Sequence, residues 1–124
     1  MAGRGEVWGV DLGMTAKVRP AMVMSVPPGD GDRALVTLVP HTTSTRNSAF
    51  EAQVTVGFLK QGAFDAQSLV TVPRVRLLRP LGRLSVPQLA HVEVSVCSWL
   101  GLRSPEPPTF PPNREVREGD RPKR

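Results

Sequence analysis

A chain of 124 residues holding 16 Lys and Arg against 11 Asp and Glu carries a formal charge of +5, and this length fits one domain built around one core. The single cysteine, Cys97, allows no internal disulfide and no CxxC or Cys/His ligand spacing, which argues against a disulfide scaffold or a metal or other cofactor site and for a reduced compartment. The basic balance favours a polyanionic partner, no apolar run approaches the roughly 20 residues that cross a bilayer, and "MAGRGEVWG" lacks the apolar stretch of a secretory signal, so a cytoplasmic protein with no membrane association is expected.

In chain order, "EVWGVDL" (6–12) mixes Trp and Val and reads as a first strand, and "PAMVMSV" (20–26) is apolar on both parities, as a strand buried on both faces would be. "RALVTLV" (33–39) follows in the same style, and the turn-rich "PPGDGD" between them predicts that the second and third strands form a hairpin. "EAQVTVGF" (51–58) alternates Ala52, Val54, Val56 and Phe58 with Gln53 and Thr55, and "SLVTVPR" (68–74) supplies a fifth strand. Short strands in succession predict a small barrel. In "LSVPQLAHVEVSVCSWLGL" (84–102), Ser85 suits a cap, Pro87 a first turn and Gly101 a stop, while Leu89, Val92, Val96, Trp99 and Leu100 recur at helical spacing. A C-terminal helix is expected, with the alternation of Val92, Val94 and Val96 as the rival strand signal. From residue 103 onward, Pro and charge dominate; six basic and four acidic residues and few large apolar ones predict a disordered tail, residues 103–124, after a domain spanning 1–102.

Six blocks, "RGEVWGVDL", "VRPAMVMS", "LVPHTTST", "AFEAQV", "LVTVPRVRL" and "LGRLSVPQLAHVEVSVCSWLGL", resemble in order and spacing the MazF/PemK-type toxins of bacterial toxin–antitoxin systems over residues 4–102. The resemblance implies an SH3-like barrel (CcdB/PemK-like) with a C-terminal helix, a homodimer, metal-independent cleavage of single-stranded RNA, and silencing by a cognate acidic antitoxin. It also places Arg19, of the Arg-Pro pair, and Thr42, of the "P-x-T" block, at the active site.

Chemistry gives reasons for those residue types. When a ribose 2′-hydroxyl attacks its own phosphodiester, charge builds on the phosphorane oxygens, and a fixed guanidinium meets two of them with paired hydrogen bonds. Pro20 restrains Arg19 towards extended backbone, which holds the guanidinium at the start of its strand. Thr42 adds a neutral hydrogen bond. Arg is a reluctant general base, so its part is electrostatic, with donation to the leaving 5′-oxygen open to it. His41 is the alternative general acid or base on pKa grounds, although alternation along a strand through Thr42 turns it to the opposite face. Lys17 and the polar run Thr43, Ser44 and Arg46 are candidate RNA contacts for backbone charge or base edges. His91 reads as a surface residue of the helix.

Two departures from the family pattern stand out. Some relatives use an Arg and an Asp before the "LVTV" block where this chain has Asp65 and Gln67, and many carry a longer glycine-rich loop where only "GMTAK" (13–17) intervenes here. The alternative function is a non-catalytic SH3-like protein-binding module, including a gyrase-directed toxin of the same fold; neither needs Arg19 and Thr42 together.

Overall fold

The computed structural model describes residues 2–13 and 18–102. Lys17, most of the short loop at 13–17 and the expected tail lie outside them. Seven strands, β1 (Glu6–Asp11), β2 (Val18–Val23), β3 (Leu35–Thr42), β4 (Glu51–Gln53), β5 (Ala63–Asp65), β6 (Val70–Pro73) and β7 (Leu77–Arg83), precede one helix, α1 (Val86–Leu100). All strand pairs are antiparallel, in the order β4-β5-β3-β2-β1-β7, with β6 beyond the end of β5 on the same edge of β3, opposite β2. The predicted class, a small mainly β fold with a C-terminal helix, holds.

Alternation along β3 splits the core in two. Val39 joins Val7, Met22, Phe64, Val92 and Val96 on the helix side, whereas Val36 and Leu38 join Val10, Ala21, Val23 and Val72 on the other. This explains why the sequence of β2 and β3 is apolar on both parities: both faces of the central strands are covered. The hairpin of β2 and β3 forms as expected, in the register Ala21 to Pro40 and Val23 to Leu38.

The helix resolves the rival reading at 92–96. Val92 and Val96, four residues apart, are buried, while Val94 between them is 56% exposed, so the period is helical. Ser85 and Gln88 form a reciprocal capping box, and Gly101 closes the helix at φ 70°, a left-handed conformation that glycine adopts without steric cost. The core stripe is narrower at its end than the spacing predicts: Trp99 and Leu100 are partly exposed, and Trp99 packs on Phe50 with ring centroids 5.2 Å apart. Arg4 joins the two ends of the domain through an ion pair with Glu93 and a 2.8 Å hydrogen bond to the Met24 carbonyl.

Three strand expectations change. The fourth strand stops at Gln53, although Val54 and Val56 still reach the core. β5 is three residues long, below what periodicity detects. β7 reads "LLRPLGR", whose Pro80 belongs in a strand only at an edge, which is where the sheet order puts it. No helix among the described residues is long and apolar enough to cross a membrane.

Candidate active-site cleft

Register brings the proposed residues together. Ala21 lies across from Pro40, so carrying the antiparallel pairing two residues further sets Arg19 of β2 across from Thr42 of β3. Their side chains share one face of the sheet, because Ala21 and Pro40 do. On the other flank of β3, Thr42 pairs with Ala63 and His41 with Phe64; one step on, Asp65 of β5 stands across from Pro40 and also faces the Arg19 side. Pro40 and Thr42 thus form a floor between Arg19 and Asp65. A cleft of about 640 Å³ opens over it, with Arg19, His41, Thr42, Ser44 and Arg46 among its walls.

The β3–β4 connection supplies the upper wall. Thr42 Oγ1 accepts from the Ser44 amide at 3.0 Å, which leaves the hydroxyl proton free to donate into the cleft. Glu51, at the start of β4, accepts from the Arg46 amide at 2.9 and 3.1 Å and from the Ser48 amide at 3.3 Å, and Asn47 between them takes a positive φ of 56°. One carboxylate therefore folds the loop so that Ser44 and Arg46 turn into the cleft. Thr43 and Thr45 turn away, into a second shallow groove with Gln53, Thr55 and Gln61. Of the polar run singled out by sequence, Ser44 and Arg46 reach the cleft and Thr43 does not.

Among the described residues, neither the Arg19 nor the Arg46 guanidinium has a hydrogen-bond or ion-pair partner. Two unpaired guanidiniums facing one cleft favour an anion there. His41 is placed differently. It is 4% exposed, its ring meets Phe64 edge-on at 5.1 Å, and its Nε2 is buried without a partner. Burial disfavours the charged imidazolium and pushes its pKa below the ordinary 6.5. Directly beneath the end of β3 sits Gly62, where an added Cβ would lie 2.1 Å from the Thr42 carbonyl oxygen and 2.9 Å from His41 Cε1. The close approach of that turn requires a residue with no side chain.

Sequence reasoning passed over several lining residues: Glu51, Ser48 and Ser68 carried no recognisable spacing, and Asp65 and Gln67 were noted only as a departure from the family pattern. The signal for Asp65 was its position one residue after the "AF" of β5, visible only once β5 is known to pair with β3. Among the described residues no group of three or more His, Cys, Asp or Glu side chains is placed to hold a metal ion.

Similarity to known proteins agrees with this geometry. A curated relative, endoribonuclease MazF9 of Mycobacterium tuberculosis, is 33% identical over 84% of this chain and 100% of its own length. Among solved structures, an endoribonuclease in complex with its cognate antitoxin from Mycobacterial species matches with a TM-score of 0.72 at 22% identity, covering 85% of this chain and 100% of that one. The M. tuberculosis toxin MazF-mt6 matches with a TM-score of 0.68 at 24% identity, covering 79% and 98%. Those two likenesses establish the fold. The match that reaches the sequence itself runs from residue 3 to residue 100, across the helix and every strand, those that build the cleft included, and it makes this chain a member of the PemK-like, MazF-like toxins of type II toxin–antitoxin systems.

Proposed function

We propose that the chain is the toxin of a toxin–antitoxin pair and an endoribonuclease that cleaves single-stranded RNA in the cleft over Pro40 and Thr42. The observation that carries this reading is that Arg19 and Thr42 line one cleft: an unpartnered guanidinium and a hydroxyl with a free proton, on adjacent strands. Its relative MazF9 is an endoribonuclease by name.

The reaction is transesterification. The ribose 2′-oxygen forms a bond to phosphorus while the bond to the 5′-oxygen breaks; the 2′-proton leaves to solvent and the 5′-oxygen takes one up, giving a 2′,3′-cyclic phosphate and a 5′-hydroxyl. Arg19 meets the charge that grows on the non-bridging oxygens, and Thr42 donates one neutral hydrogen bond to the same group. Because both groups sit on strands before substrate arrives, little reorganisation is needed as charge develops. Arg46 adds a second positive charge and holds the neighbouring backbone phosphate. His41 borders the cleft but acts as packing in this reading, since its Nε2 is buried. No metal ion enters the scheme, and the chain acts in the cytoplasm as a homodimer.

A cognate antitoxin with an acidic, largely disordered segment suits the same cationic groups and folds as it binds, so antitoxin and RNA compete. The test is cleavage of a single-stranded RNA in excess chelator with end-group analysis of the products. Cleavage that persists and leaves cyclic phosphate and 5′-hydroxyl ends supports the reading; a 5′-phosphate end, or full activity in folded Arg19→Ala, overturns it.

A further inference from the structure

The two flanks of the cleft differ in chemistry. Arg19 stands on the β2 flank with its guanidinium unpartnered, whereas Asp65 stands on the β5 flank, two strand spacings across and two residues along β3, roughly 12 Å away between backbones. Asp65 has no ion pair among the described residues. Its Oδ1 accepts from the Gln67 amide at 3.1 Å and its Oδ2 from the Ser68 hydroxyl at 2.8 Å. Each oxygen keeps a second lone pair. The two bonds also fix the carboxylate's orientation through the short turn Ala66–Ser68. Glu51, its cross-strand neighbour, is different, because three contacts from the Arg46 and Ser48 amides already occupy it. The Gln67 side chain lines the same wall with its amide unpartnered among the described residues.

A carboxylate repels a phosphate, so this flank suits the other end of a nucleotide. It offers two adjacent acceptors and, from Gln67, an amide donor. Among the four RNA bases only guanine presents two adjacent donors, N1–H and N2–H₂, beside an acceptor, O6; adenine and uracil alternate donor and acceptor along that edge, and cytosine sets one donor beside two acceptors. Resting on the endoribonuclease reading of this cleft, we infer that the turn Asp65–Ser68 is a guanine subsite, with Asp65 as the specificity-determining residue and Gln67 as its companion.

The probes are decamers of 2′-deoxyuridine carrying one central guanine or hypoxanthine, which lacks only the N2 amine; they bind without being cut. By fluorescence anisotropy the full chain binds the guanine probe about tenfold more tightly, as loss of one hydrogen bond to a charged acceptor requires. In Asp65→Asn one acceptor becomes a donor, while the remaining oxygen still accepts from the Gln67 amide, so the two probes bind alike. Equal affinities in the wild type, or a tenfold preference that survives in folded Asp65→Asn, overturn the inference. If Asp65→Asn does not fold, the wild-type ratio decides alone. A separate cleavage assay on the corresponding ribo-oligonucleotides keeps the two claims apart: cleavage with no guanine preference sinks only the subsite, and a guanine preference without cleavage sinks only the nuclease.

Discussion

Replacing Gly62 by Ala is the sharpest test of how the fold carries the site. The new Cβ would start 2.1 Å from the Thr42 carbonyl oxygen and 2.9 Å from His41 Cε1. Ordinary contact lies more than 3 Å away, so something must move by about 1 Å. The atom in the way belongs to backbone, and Thr42 pairs with Ala63, the residue after the substitution. The displacement therefore falls on the strand end that presents the Thr42 hydroxyl. Overpacking of this kind costs about 1–3 kcal/mol, which for a domain of this size lowers Tm by roughly 4–8 °C per kcal/mol. A catalytic group misplaced by about 1 Å costs on the order of a hundredfold in rate. Urea denaturation gives the first number and single-turnover cleavage under conditions where the variant is folded gives the second. Unchanged Tm together with unchanged cleavage would refute the argument that Gly62 sets the position of Thr42.

Three further outcomes follow from the same geometry. Arg19→Ala reduces cleavage by about two to four orders of magnitude and Arg19→Lys restores only part of it, because an ammonium keeps the charge but loses the planar fork; Thr42→Ala costs less than Arg19→Ala, and rate measurements on folded variants check the ranking. His41 couples folding to pH: its folded pKa lies below the unfolded 6.5, so stability is full above about 6.5 and is lost as pH falls, by at most about 1.4 kcal/mol per unit. Urea titrations at pH 7.5 and 5.5 show that loss in the wild type and a smaller one in His41→Leu. A chain ending at Leu102 folds, cleaves and is neutralised as the full chain does, since strands, helix and cleft all lie before that residue; loss of any of the three assigns a role to residues 103–124.

How much of this was legible in the sequence depended on whether the signal was local. The helix was, because its cap, its stop and its four-residue spacing all lie within one segment; even the rival Val92, Val94, Val96 pattern is decided by burial of the first and last alone. The hairpin of β2 and β3 was, for the same reason. β5 and β7 were not: three residues carry no period, and a strand containing Arg79, Pro80 and Gly82 looks like a loop until β1 is there to pair with it. At the site, Arg19 and Thr42 came from a resemblance, and the orientation of His41 away from Thr42 came from alternation. Glu51 escaped notice because its work is done on the backbone amides of Arg46 and Ser48, a contact that no residue type at those positions announces.

The same distinction explains the division of labour in the cleft. A strand fixes its side chains to within a narrow range of directions, so the groups proposed to meet the reacting phosphate, Arg19 and Thr42, come from strands that are hydrogen-bonded neighbours. The groups proposed to face the rest of the substrate, Ser44 and Arg46 on one side and Gln67 and Ser68 on the other, come from turns, and each turn is held by one carboxylate, Glu51 or Asp65, accepting backbone amides. Such turns tolerate new side chains provided the carboxylate and its amides remain. In a fold this small the proposed catalytic pair is therefore the hardest part to change, because the pairing of β2, β3 and β5 and the bare backbone at Gly62 all constrain it. Sequence preference should shift by substitution at 44 and 67 with cleavage chemistry intact.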